Sequence, residues 1–170
     1  MKKIVFSILA LSLIAGTICC QGKVDNEKEM KALAERYVEA WNGGSLSLFD
    51  ELLSPDIVRH TVDIFEDIIG IEAFKEHVNL QWTTFSDFNV TLDELIIMED
   101  KMVGRWTLTG THTGPYGELP PTGKKVKFSG VEVSHIVNGK VVEHWVYYNQ
   151  AAVFTQLGLI ITPPETQTEQ

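Results

Sequence analysis

Five histidines are the side chains best suited to trading protons near neutral pH. His135 lies in the run Lys125–Val137 and His144 in Lys140–Tyr148. These β-branched and aromatic runs are joined at Asn138-Gly139, a strong local hairpin signal. The loop length decides what His135 meets. A two-residue loop pairs Val137 with Lys140 and puts His135 on one face with Val142, His144 and Val146. A three-residue loop, Val137-Asn138-Gly139, puts it with Val141, Glu143, Trp145, Tyr147 and Asn149. Both loops are common, and a one-residue slip exchanges the faces. In the second arrangement His135 is the only obvious base on its face. Glu143 reads there as a hydrogen-bonded or solvent-facing strand carboxylate, and Trp145 as core or as a ligand contact. Asn149 carries a carboxamide, which is not basic but donates to an enolate oxygen or orients a carbonyl. No His-x-His or His-x-x-x-His spacing supports a metal site. The stretch Gly114–Gly123 carries Pro115, Pro120 and Pro121 and opens no helix, so it is not a phosphate-binding loop.

The elements that must position these groups follow from periodicity. Asn26 and Glu29 resemble a capping box. Met30, Leu33, Ala34, Tyr37, Val38 and Trp41 then recur at helical spacing until Asn42-Gly43-Gly44. Tyr37 and Trp41, four apart, form either a pocket wall or core. Short helical runs are expected over Leu46–Leu53 and Ile71–Phe85, with His77 on the outer side of the latter. Between them Asp56–Thr61 reads as extended. It ends near His60, and Asp63, Glu66 and Asp67 follow as loop carboxylates. Asp87–Met98 and Met102–Thr111 form a further hairpin. Arg105, Thr107, Thr109 and Thr111 share one face of its second strand, and Gly104, Trp106, Leu108, Gly110 and His112 share the other. His112 there is either a pocket-rim residue or the holder of the Gly/Pro loop after it. Helices followed by antiparallel strands indicate an α+β domain.

Several short motifs recur in a known order: Gly110-Thr111-His112-x-Gly114, Pro120-Pro121-Thr122-Gly123-Lys124, Gly139-Lys140-x-x-Glu143-His144-Trp145 and Gln156-Leu157-Gly158. In these the chain resembles the SnoaL-like polyketide cyclase (ester cyclase-like) family of the NTF2-like superfamily, from about Glu29 to Leu159. The resemblance implies an NTF2-like cone: a curved, mostly antiparallel sheet wrapped by about three N-terminal helices around an apolar pocket. It implies a homodimer across the open face of the sheet, and an intramolecular aldol condensation that needs no metal or organic cofactor. The family's catalytic His and Asp fall by position on His135 and Asn149, which favours the three-residue loop. His60, His112, Tyr37, Trp41 and Trp145 become the expected substrate contacts.

Residues 1–20 read as a signal peptide: Lys2 and Lys3, then the apolar run Ile4–Ile18. The adjacent Cys19 and Cys20 resemble the lipidation site of a bacterial lipoprotein, with Cys20 fitting better. The expectation is an exported, lipid-anchored, periplasmic or secreted protein with a domain at 21–161 and a disordered polar tail at 162–170. No disulfide can staple that domain, so packing alone must hold it. The formal net charge of −9 argues against nucleic acid and against anionic membrane except through a lipid anchor. Two function classes remain: a SnoaL-like cyclase or isomerase acting on a small apolar carbonyl compound, or a non-catalytic binding lipoprotein of the same fold. The amide of Asn149 and the leader favour the second, and the motifs favour the first.

Overall fold

The computed structural model describes residues 26–43, 45–61 and 66–159. The expected leader, its cysteines and the tail beyond 159 lie outside the described residues. Helix α1 spans residues 26–41 and buries the face its spacing predicts: Met30, Leu33, Ala34, Tyr37 and Trp41 are all under 9 % exposed. At its end Asn42 turns back onto a strand. Its Oδ1 accepts from Val90 N at 2.6 Å and its Nδ2 donates to Val90 O at 2.8 Å. The side-chain amide thus satisfies a stretch of sheet edge that would otherwise be open to another chain.

Helix α2 (Leu48–Leu52) runs directly into β1 (Leu53–Thr61), followed by the two-residue β2 (Ile68–Ile69). Helix α3 (Ile71–Thr84) buries Phe74 and Val78, as its spacing predicts. His77 is not on its outer side: the ring stands edge-on to Trp41, 6.3 Å between centroids. Then come β3 (Phe85–Met98), β4 (Lys101–His112), β5 (Lys125–Val137), β6 (Lys140–Tyr148) and α4 (Gln150–Leu157). The strands form one curved, unclosed sheet in the order β2-β1-β6-β5-β4-β3, parallel only between β1 and β6. Helices α1 to α3 contribute to one core with Leu53, Ile57, Met102, Ile136 and Val141 from the sheet. This is the α+β architecture that the sequence implies.

The β5–β6 hairpin follows neither alternative cleanly. Asn138 and Gly139 adopt φ of 51° and 73°, and Val137 pairs with Lys140, so the loop has two residues. Ile136 then pairs with Val141, but His135 pairs with Glu143. Val142 is an extra residue, a β-bulge, and it returns the strands to the face-sharing that a three-residue loop would give. On the inner face, Gly130 lies under Trp106. A Cβ there would sit 2.3 Å from the indole, so only glycine permits the ring to lie against the sheet.

Helix α4 closes one end of the sheet. The segment after β6, rich in alanine and apolar residues, is helical. Val153 and Leu157 pack with Phe85 and Val126, Gln156 Oε1 accepts from Lys127 N at 2.8 Å, and Gly158 at φ 89° ends the helix.

Candidate active site

The bulge fixes which side chains face the helices. On β6 it turns His144 inward, where it is fully buried. Arg59 of β1 is its Cα partner across the parallel pair. Glu132 of β5 is its diagonal neighbour, because Ser134 stands opposite His144. Tyr37 reaches down from α1. The resulting contacts are His144 Nε2 to Glu132 Oε2 at 3.0 Å, Arg59 Nη1 to His144 Nδ1 at 3.3 Å and Tyr37 Oη to the same Nδ1 at 3.3 Å.

These contacts determine the proton positions. A guanidinium has no acceptor, so Nδ1 must accept from Arg59, and the ring proton resides on Nε2 and is donated to Glu132. Burial pushes the His144 pKa down; the adjacent Glu132 carboxylate opposes this and Arg59 reinforces it. The imidazole is therefore neutral, consistent with that tautomer. Burial, reinforced by the Glu132 charge, pushes the Tyr37 hydroxyl far up, so it remains a donor. Arg59 is 7 % exposed and lies over Trp41 and Phe74, 5.7 and 5.8 Å from the ring centroids.

Above this network is a small, partly open cavity of about 60 Å³. Its walls are apolar, with Phe88, Val90, Leu92 and Leu108 among them, and its polar groups include Arg59, Glu132 and Tyr37. The arrangement is a carboxylate oriented by a neutral histidine, beside a buried cation and a protonated phenol, at a pocket with mainly apolar walls. It suits proton abstraction next to a carbonyl, with donors in place for the oxygen that gains charge. Among the described residues, no three His, Cys, Asp or Glu side chains converge as metal ligands.

The residues expected from sequence divide between the two sides of the sheet. Tyr37 and Trp41 serve both readings, being buried core and cavity wall at once. His135 does not face the cavity. It points to the opposite face, 3.1 Å from Asp100 Oδ2. Nor is it near Asn149, which follows Glu143 by six residues, about 20 Å along an extended chain. Asn149 is the N-cap of α4, its Oδ1 accepting from Ala152 N at 3.0 Å. The two cannot form a dyad. His60 and Trp145 are also on the outer face, stacked at 5.3 Å. There His60 contacts Asp67 at 2.8 Å and Glu143 at 3.1 Å. The physical reason is strand alternation: Arg59, not His60, takes the inward position of β1. His112 is buried but holds the Gly/Pro loop, with Nδ1 3.0 Å from Thr122 Oγ1 and accepting from Thr122 N at 3.2 Å.

Sequence reasoning missed Glu132, His144 and Arg59 as a site. The available signal was period-two patterning: Phe128, Gly130, Glu132, Ser134 and Ile136 share a face, and a lone carboxylate among them is out of place. Two outcomes follow. His135→Ala is expected to leave turnover within about twofold and to cost under about 1 kcal/mol, since its partner is exposed. Asn149→Ala is expected to lower stability by about 1 kcal/mol through the lost cap, and Asn149→Asp to preserve it, as read by urea midpoints.

Residues 31–157 match the family described as SnoaL-like polyketide cyclase, and the chain belongs to that family. It is 29 % identical over 134 residues to the aklanonic acid methyl ester cyclase of Streptomyces galilaeus, covering 76 % of this chain and 91 % of that protein. Among solved structures, a candidate hydroxylase from Streptomyces galilaeus superposes with a TM-score of 0.69 at 32 % identity, covering 81 % of this chain and 86 % of that one. A protein with a ketosteroid isomerase-like fold from Catenulispora acidiphila superposes with a TM-score of 0.66 at 16 % identity, covering 77 % and 97 %. This last likeness bears on the fold alone, and the fold hosts more than one chemistry.

Proposed function

We propose that the protein closes a ring in a carbonyl-rich, polyketide-type compound by an intramolecular aldol reaction, with Glu132 as the base. The observation that carries this is the Glu132–His144 pair, with Arg59 and Tyr37, at an apolar cavity. The carboxylate that Asn149 lacks is supplied by Glu132, which removes the main reason for preferring a non-catalytic binder. The cyclase relatives support the same reading.

Glu132 takes the proton from a carbon next to a carbonyl. The C–H electron pair becomes an enolate, its carbon attacks a second carbonyl of the same molecule, and a C–C bond forms. The second carbonyl oxygen then receives the proton from Glu132. Nothing is gained or lost, so product and substrate are isomers. The cavity walls hold the chain folded so that the two carbons meet, which removes much of the entropic barrier.

The test is incubation with aklanonic acid methyl ester in D2O, followed by mass spectrometry and NMR. Deuterium entry at the acidic carbon and a ring-closed isomer are expected, both faster than with heat-denatured protein. Equal rates in the two samples would refute the proposal.

A further inference from the structure

Two of the cavity's buried donors have no acceptor among the described residues: Arg59 Nε and Trp106 Nε1. Neither is free to swing to solvent. Arg59 is 7 % exposed and Trp106 8 %. The guanidinium is clamped over Trp41 and Phe74, and its Nη1 is used on a neutral imidazole and not on a carboxylate. The indole lies over Gly130 and against Phe128 at 5.9 Å and Tyr148 at 6.3 Å. A folded protein seldom leaves buried N–H groups unpaired, and each such group accounts for itself by a ligand or a role. Here both residues line one cavity, and one of them is a cation.

We propose that Arg59 and Trp106 are the ligand-oxygen side of the site, with Arg59 Nε–H seating the oxygen that turns negative when the ligand enolises. The proposal rests on the reading of Glu132 as base and deepens it, because it specifies the substrate class. The ligand carries at least two acceptor oxygens, and one of them belongs to the carbonyl beside the acidic C–H bond. Charge is conserved within the cavity. As Glu132 gains the proton it loses its negative charge, and the same charge appears on the oxygen facing Arg59. His144 stays neutral throughout, so the guanidinium is the one positive group of the network. The site in its unreacted state therefore has no preference for anions, and it acquires one when Glu132 is neutralised.

That last property is measurable without turnover. The probes are 4-nitrophenolate, whose ionisation is visible by absorbance, and 4-nitroanisole, a neutral molecule of similar shape. In Glu132→Gln, which imitates the protonated base, the phenolate is expected to bind at least about tenfold more tightly than the anisole, a preference typical of a charge-assisted hydrogen bond. The wild-type protein should show little preference. Adding Arg59→Gln to Glu132→Gln should abolish it, and adding Trp106→Phe should weaken both probes about threefold. Arg59→Lys, which keeps the charge but lacks Nε–H, serves if Arg59→Gln does not fold, and should also lose most of the preference. Equal binding of the two probes in Glu132→Gln, failure of either to bind there, or a preference that survives loss of Arg59 would each overturn the proposal. Its failure is separable from that of the proposed reaction. Deuterium exchange without anion preference removes only the Arg59 assignment, and anion preference without exchange removes only the reaction.

Discussion

Replacing Glu132 with glutamine is expected to lower turnover about 10³-fold near neutral pH while the protein stays folded. Glutamine has nearly the same volume, and its Oε1 can still accept from His144 Nε2–H, so the tautomer and the packing of Tyr37 and Arg59 persist. What is lost is basicity. KM should change by only a few-fold, because the carboxylate contributes to the transition state and little to holding the ligand. Glu132→Asp keeps the base but withdraws it by one methylene, and an intermediate rate is expected. Turnover within tenfold of wild type in Glu132→Gln, with an unchanged circular dichroism spectrum, would place the base elsewhere.

Replacing His144 with leucine is expected to cost about 3–5 kcal/mol of stability, the range for breaking a buried polar cluster by removing one member. His144 is fully buried, and its loss leaves Glu132 Oε2, Arg59 Nη1 and Tyr37 Oη without their shared partner. The pH dependence gives a second readout. The folded pKa of His144 lies below its unfolded value, so the unfolded chain binds the extra proton first as pH falls. The stability from this group is fully present above about pH 6.5 and is lost as pH falls towards the folded pKa. His112, also lowered by burial, acts in the same sense. His60 acts oppositely: burial pulls its pKa down, but hydrogen bonds to Glu143 and Asp67 outweigh that and raise it. Its contribution is fully present below about pH 6.5 and is lost as pH rises through the folded pKa. The wild-type curve sums these effects, and subtracting the His144→Leu curve isolates one of them. A variant as stable as wild type, with the same acid slope, would contradict the network described above.

The fold was more legible in the sequence than the site, and the reason lies in what the motif residues do. Thr122 of the Pro-Pro-Thr-Gly-Lys run is tied to His112. Lys140 Nζ donates to Asp50 O at 2.7 Å and to Leu53 O at 3.3 Å, joining the last hairpin to the end of α2. Gln156 caps a strand N–H, and Gly158 stops the last helix. These contacts hold the architecture together; the motif residue His144 does belong to the site, but its partners Glu132, Arg59 and Tyr37 lie outside the motifs, so the motifs identify the family and locate little of its chemistry. Short-range periodicity likewise sufficed for the apolar face of α1 and for the two faces of β4. The site depends on contacts that no local window contains. Arg59 and His144 are 85 residues apart and meet only because β1 and β6 pair in parallel. Which way His144 points depends on the bulge at Val142, a valine in an otherwise regular strand, with no glycine to mark it. Asn149 drew attention as an amide in place of an acid, and the structure gives that position a helix cap.

The same single residue makes the hairpin behave like a message with a reading frame. Upstream of Val142 the turn sets the phase of the two strands; downstream, the extra residue sets it. Closing the bulge while keeping Val142 in the ladder would be a frameshift in space. His144, Val146 and Tyr148 would exchange sides with Glu143, Trp145 and Tyr147 against β5, while every residue kept its chemical identity. Deleting Val142 would by contrast leave Glu143 and His144 opposite the same partners, so the phase of the strand rests on where the extra residue is parked and not on its side chain.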